Sequence, residues 1–177
     1  MPSPIRLATL KGSGMGDSLI TAFSLGNPGV HSEIWFEKFR VSAFRGLPDR
    51  CVLILPFEDF GTPAGEWHVV DIPVSDVGLA LSFIEEAAAC EAHYHYSLPE
   101  FGMPKVLLDR LDQDLDCTRP STWDRLFCSQ FALLFLRRCS LAGVLEVAPE
   151  RQRMLWGVNS RGCLPSRLRI IADRVFK

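Results

Sequence analysis

The chain has 177 residues, 47% hydrophobic and 23% charged, with 12 Phe and 4 Trp, a composition that supports one packed core and excludes a largely disordered protein. Its formal charge of -2 offers no net pull on a polyanion, so no nucleic-acid partner is expected. No stretch approaches the ~20 apolar residues that cross a bilayer, and Met1 to Leu10 lacks the apolar centre of a secretory leader, so the expectation is a cytoplasmic protein without a transmembrane segment.

Residues 1 to 30 are rich in Gly, Ser and Pro, with Gly12, Gly14 and Gly16 close together. They lack the Gly-Lys-Ser/Thr ending of a phosphate loop and read as a flexible or cleft-lining lip. Strands follow. His31 to Phe39 carries the aromatic run Ile34, Trp35, Phe36 and Phe39, Val41 to Phe44 suits a second strand, and Arg45 to Asp49 has turn chemistry. Cys51 to Phe57 reads as a third strand, Glu58 to Glu66 as a Gly/Pro loop, and Trp67 to Pro73 as a fourth strand. Short turns between strands imply a mainly antiparallel sheet.

Ser75 is a suitable N-cap for a helix carrying Val77, Leu81, Ile84 and Ala88 at helical spacing and running to about Ala92. His93 to Gly102 reads as a polar aromatic loop, and Asp109 to Asp116 as an acidic turn without the glycine and terminal glutamate of a calcium loop. A second long helix covers the apolar run Phe131 to Leu136 and ends between Ser140 and Gly143. Its start has two readings: a capping box at Ser121-Thr122-Trp123-Asp124, or a start near Phe127. Ser166 to Val175 fits a last strand or short helix. The whole reads as a single α+β domain over residues 1 to 177, a small antiparallel sheet packed on two main helices.

The six cysteines, Cys51, Cys90, Cys117, Cys128, Cys139 and Cys163, include no Cys-x-x-Cys pair, and the four histidines lack zinc-finger spacing. Reduced thiols, no structural metal and no cofactor are expected. One cysteine has a setting suited to chemistry. If the helix begins near Phe127, Cys128 lies in its first turn, where the helix dipole favours a sulfur anion. A thiolate nucleophile also needs an imidazole and a polar group to orient it. His31 supplies the imidazole. Glu33, two residues on and therefore on the same strand face, is a candidate for the third member. His93 and His95 are the alternative, as a metal pair in a hydrolase.

The order of these residues resembles the circularly permuted papain-like fold. His31-Ser32-Glu33-Ile34 opens a strand, Ser42-Ala43-Phe44-Arg45-Gly46 occupies the next, a Trp67 strand, a helix and a tyrosine-bearing loop follow, and Phe127-Cys128-Ser129-Gln130 comes last. This is similar to the permuted NlpC-type cysteine peptidases and amidases, including the YiiX-like group and phage-encoded relatives. The resemblance implies Cys128 as nucleophile and His31 as base, an orienting polar residue on the strand after the histidine, which here is Ser42, and Tyr94, Tyr96 and Gln130 beside the substrate. Relatives often carry Cys-Ser-Glu where this chain has Cys128-Ser129-Gln130, and Tyr-Asp-Trp where it has Tyr94-His95-Tyr96. The implied activity is cleavage of an amide in a peptide or peptidoglycan stem, or transfer or hydrolysis of a lipid acyl group, through an acyl-enzyme. The opposing expectation is a non-catalytic binding or virion-associated module of the same fold, in which Cys128 only packs.

Overall fold

The computed structural model describes residues 5–11, 30–44, 50–60, 64–94 and 115–177. Five strands, β1 (Arg6–Leu10), β2 (His31–Trp35), β3 (Phe39–Ala43), β4 (Val52–Pro56) and β5 (Trp67–Asp71), form one antiparallel sheet in the order β4-β3-β2-β1-β5. The α+β class therefore holds.

β1 falls inside the stretch expected to be a flexible lip, yet it occupies an interior place in the sheet. Its register sets Leu7 opposite both Ile34 and Val70, and Leu7, Ala8 and Thr9 are all buried. Both of its faces are covered, so a five-residue segment beside Pro and Gly carries little alternation to recognise. The rest of that lip, residues 12–29, lies outside the described residues, as does the turn expected at Arg45 to Asp49.

Leu7, Ile34, Val41 and Val70 point to one face and share a core with Phe131, Ala132 and Leu134 of the central helix. On the opposite face aromatic rings do the covering. Trp35 lies 5.1 Å from Trp67 and 5.9 Å from Phe57 between ring centroids, and the Arg6 guanidinium stands 5.9 Å over Trp35. The short helix α1 (Phe57–Phe60) starts directly from β4, where a Gly/Pro loop was expected.

Among the described residues three long helices are present where two were expected: α2 (Val77–Ala89), α3 (Cys128–Leu141) and, after the short α4 (Pro149–Gln152), α5 (Pro165–Phe176). The third replaces the ambiguous strand or helix at Ser166 to Val175. Pro165 at the first helical position presets its backbone, while Leu168, Ile171, Ala172 and Val175 bury one stripe. α2 is capped one residue later than expected: Asp76 accepts from the Leu79 N–H at 2.8 Å, and Ser75 instead donates to the Val144 carbonyl at 3.4 Å. It stops at Ala89 rather than Ala92, because the backbone turns extended at Cys90 (φ -85°, ψ 148°) and carries Ala92 away to accept from the Cys51 N–H at 3.0 Å.

The start of α3 decides where the site forms. Pro120–Thr122 is a 3-10 turn, not a capping box, and the chain then extends through β7 (Arg125–Leu126), which pairs in parallel with β6 (His93–Tyr94). Phe127 is the N-cap, with φ -129° and ψ 169°, and its carbonyl accepts from the Phe131 N–H at 3.0 Å. Cys128 is thus the first helical residue.

Phe131→Ala would empty a fully packed site, and an expected loss of about 3–5 kcal/mol appears as a lower urea midpoint. Asp76→Ala removes only a cap, and its expected loss is about 1 kcal/mol. Equal midpoints for the two variants would contradict this placement of the core.

Candidate active site

His31 is the first residue of β2, so its side chain stands at the end of the sheet, beside the start of α3. Glu33 and Trp35 follow on the same strand face. The Glu33 side chain is 1% exposed and collects three donors. His31 Nε2 is 3.1 Å from its Oε1, Arg40 Nη1 donates to the same oxygen at 2.8 Å, and Trp35 Nε1 donates to Oε2 at 2.6 Å. An ionised carboxylate with that little solvent is tolerable only because those donors replace water. Arg40 comes from β3, where it lies opposite Trp35, and its guanidinium also stands 5.8 Å over the Phe44 ring.

The imidazole is held from further sides. Phe44 lies 5.3 Å and Trp67 6.3 Å from its centroid. Cys128 is also in hydrogen-bonding and charge contact with the ring. Desolvation by burial works against the imidazolium. The charge of Cys128, its hydrogen bond to His31, and the hydrogen bond and charge of Glu33 outweigh that effect and raise the His31 pKa from 6.5 to about 10. The His31 side chain is 22% exposed whereas Cys128 is 1% exposed, so solvent meets the imidazole before the sulfur.

Among the described residues no side chain caps α3. The first-turn N–H groups therefore point out of the helix end, where they and the dipole favour negative charge. Ser129 fixes that end by donating to the Cys163 carbonyl at 2.6 Å. Other thiols are placed differently: burial pushes Cys51 up to about 11 and Cys139 up to about 12, the opposite of what a nucleophile needs.

Of the two candidates for the orienting group, the structure puts Glu33 against the imidazole. Ser42 is buried on β3 and donates to the Ser32 backbone carbonyl at 2.6 Å, which ties two strands together. Gln130 is 1% exposed within α3, and its Nε2 has no hydrogen-bond partner among the described residues. Tyr94 is half-buried and packs against Phe127 and Leu164 beside the helix start. Tyr96 and His95 lie outside the described residues, as do Asp109, Asp112 and Asp114. His93 is exposed on β6, and among the described residues no group of three or more His, Cys, Asp or Glu is arranged to hold a metal ion.

Sequence reading missed Arg40 and Trp35 as members of this site. Arg40 is a charged residue amid the Phe39-to-Ala43 strand, and Trp35 follows Glu33 by two residues on the same face; those were the available signals.

In comparisons with known proteins, no protein family, no curated protein sequence and no solved structure matches this chain. Among the described residues no helix is long and apolar enough to cross a membrane.

The imidazole can be followed directly by NMR of 13C-labelled histidine, with the His31 signal assigned by its loss in His31→Ala. Its titration midpoint is expected near 10. Glu33→Gln removes the negative charge that favours the protonated ring, so the midpoint moves to lower pH. Ser42→Ala leaves it in place; a shift as large as that of Glu33→Gln would reverse the two assignments. Because the folded value lies above the unfolded one, the stability His31 contributes is fully present below about 6.5 and is lost as pH rises through about 10.

Proposed function

We propose that this protein is a cysteine hydrolase acting on an acyl bond, with Cys128 as nucleophile, His31 as proton carrier and Glu33 as the group that orients His31. The observation that supports it most is the continuous contact from Cys128 to His31 to Glu33, at the uncapped start of α3. That chain of contacts joins a nucleophile, an acid-base group and an orienting group.

The Cys128 sulfur adds to the substrate carbonyl carbon, forming a C–S bond as the carbonyl π pair moves onto oxygen. The first-turn N–H groups of α3 are placed to receive that oxyanion. As the tetrahedral adduct collapses, the bond to nitrogen or alkoxide breaks, and His31 gives its proton to the leaving group. Neutral His31 then takes a proton from water, whose oxygen attacks the thioester. The C–S bond breaks, the acid departs, and the proton remains on His31 with the sulfur again anionic. Glu33 touches no substrate in this scheme. It holds the ring and favours its charged form.

The substrate carbonyl belongs to an amide, as in a peptide or peptidoglycan stem, or to a lipid ester or thioester; the papain-like resemblance supports the class of reaction and not the choice among these. The non-catalytic reading has one observation in its favour, the burial of Cys128.

An activated ester separates the two readings. With 4-nitrophenyl acetate, a burst of nitrophenolate and an acetyl group mapped to Cys128 by peptide mass spectrometry are expected. Both should be lost in Cys128→Ala and reduced by tens of fold near pH 7 in His31→Ala, because an unassisted thiol is only a few per cent thiolate there. Acetylation spread over the exposed lysines with no Cys128 adduct would overturn the proposal. With an amide substrate, whose leaving nitrogen has to be protonated, the rate should fall as pH rises through about 10, where His31 loses the proton it donates.

A further inference from the structure

A second feature shares no residue with the Cys128 site. Along α5 the residues Arg167, Ile170, Ile171 and Arg174 stand at i, i+3, i+4 and i+7, which places them on one stripe of the helix. They form one wall of a cavity of about 390 Å³ whose other wall is Met154, Gly157 and Val158. That volume lies at the small end of ligand sites, the scale of one or two anchoring apolar side chains.

The far wall is built to hold its shape. Arg137, 2% exposed, donates from Nε to the Leu155 carbonyl at 2.9 Å and from Nη2 to the Val158 carbonyl at 2.5 Å, and its guanidinium stands 5.9 Å from the Trp156 ring. At Gly157 a Cβ would sit 3.2 Å from the Met154 carbonyl oxygen, so the absence of a side chain keeps that turn tight.

Charge marks the rim. Residues 149–177 contain seven basic and two acidic side chains, a net +5 in a chain whose total is -2. One of the acids, Asp173, is already held by His68 Nε2 at 2.9 Å and by Lys177 Nζ at 2.7 Å. Arg167 and Arg174 are exposed, without an ion pair among the described residues, about 10 Å apart along the helix axis.

The geometry points to this groove as the docking site of an acidic amphipathic helix from a partner protein, with two apolar side chains in the cavity and a carboxylate against each arginine. The matching stripe on the partner is Glu-x-x-Leu-Leu-x-x-Glu, the same i, i+3, i+4, i+7 spacing laid against α5. A second copy of this chain does not fit, because self-pairing of the stripe sets arginine against arginine. A planar bilayer does not fit either, since the apolar residues lie in a concavity.

A fluorescein-labelled helical peptide carrying that stripe in an Ala/Gln host tests the site by anisotropy, using the intact protein. Saturable binding is expected, weakened about tenfold or more, about 1.4 kcal/mol, by the double variant Arg167→Glu/Arg174→Glu, and weakened again by higher salt. A peptide with Lys in place of both Glu should bind the double variant and not the wild type, a reversal that misfolding cannot imitate. Cys128→Ala should bind the Glu peptide as the wild type does. The proposal is overturned if the wild type fails to bind, if it binds the Lys peptide equally, if replacing both Leu by Ala changes nothing, or if phosphatidylserine vesicles are bound in preference to the peptide.

Discussion

The buried carboxylate of Glu33 is the constraint on which the site depends. Removing a carboxylate from water costs several kcal/mol even after relaxation, and three donors from two strands offset it: His31 and Trp35 from β2 and Arg40 from β3. Those contacts require Glu33, His31 and Trp35 on one face and β3 in a register that brings Arg40 alongside. A one-residue slip of β2 would turn the carboxylate toward the hydrocarbon core around Ile34 and leave Arg40 without its partner. The polar network thus fixes strand register and aims the imidazole in the same act, much as a buried polar pair can fix the register of a coiled coil.

The other half of the site comes from the helix, and its position is set by what precedes it. Pro120 opens a 3-10 turn, and the two-residue ladder between β6 and β7 keeps the chain extended as far as Phe127. The positive end of α3 then falls at Cys128. Had Ser121 begun the helix, the thiol would lie about two turns inside, beyond the range of the end charges. Ser129, bonded to the Cys163 carbonyl, and the apolar run behind it hold the helix against the sheet. Around the C-terminal third the same economy recurs: Arg137, fully buried, ties down the carbonyls of Leu155 and Val158, so a segment with few hydrogen-bonded elements of its own becomes a firm wall.

The alternation of β5, the nearly continuous apolar β4 and the spacing of α2 were legible because each element's own residues carry its period. β1 was not: with both faces covered and only five residues, its place between β2 and β5 follows from pairing with two strands distant in sequence. The boundaries of α2 moved for a similar reason, since Asp76 and not Ser75 meets the first-turn amide, and Ala92 is claimed by Cys51. α5 could not be told from a strand in a short apolar run until its stripe packed on β5 and β1.

The inventory and its local geometry are legible from the residues alone: an α+β pattern, one histidine two residues from a glutamate on a strand, and one cysteine ahead of a long apolar helix. Period and spacing suffice for that, because they are properties of neighbouring residues. Only the tertiary structure decided that the helix starts at Cys128, that Cys128 meets His31 across 97 positions of chain, and that Glu33 rather than Ser42 faces the ring. Those outcomes turn on which hydrogen-bonding groups are left without water when distant segments pack. Ser42 finds a backbone carbonyl on the neighbouring strand, while Glu33, carrying a charge, has to gather every donor within reach.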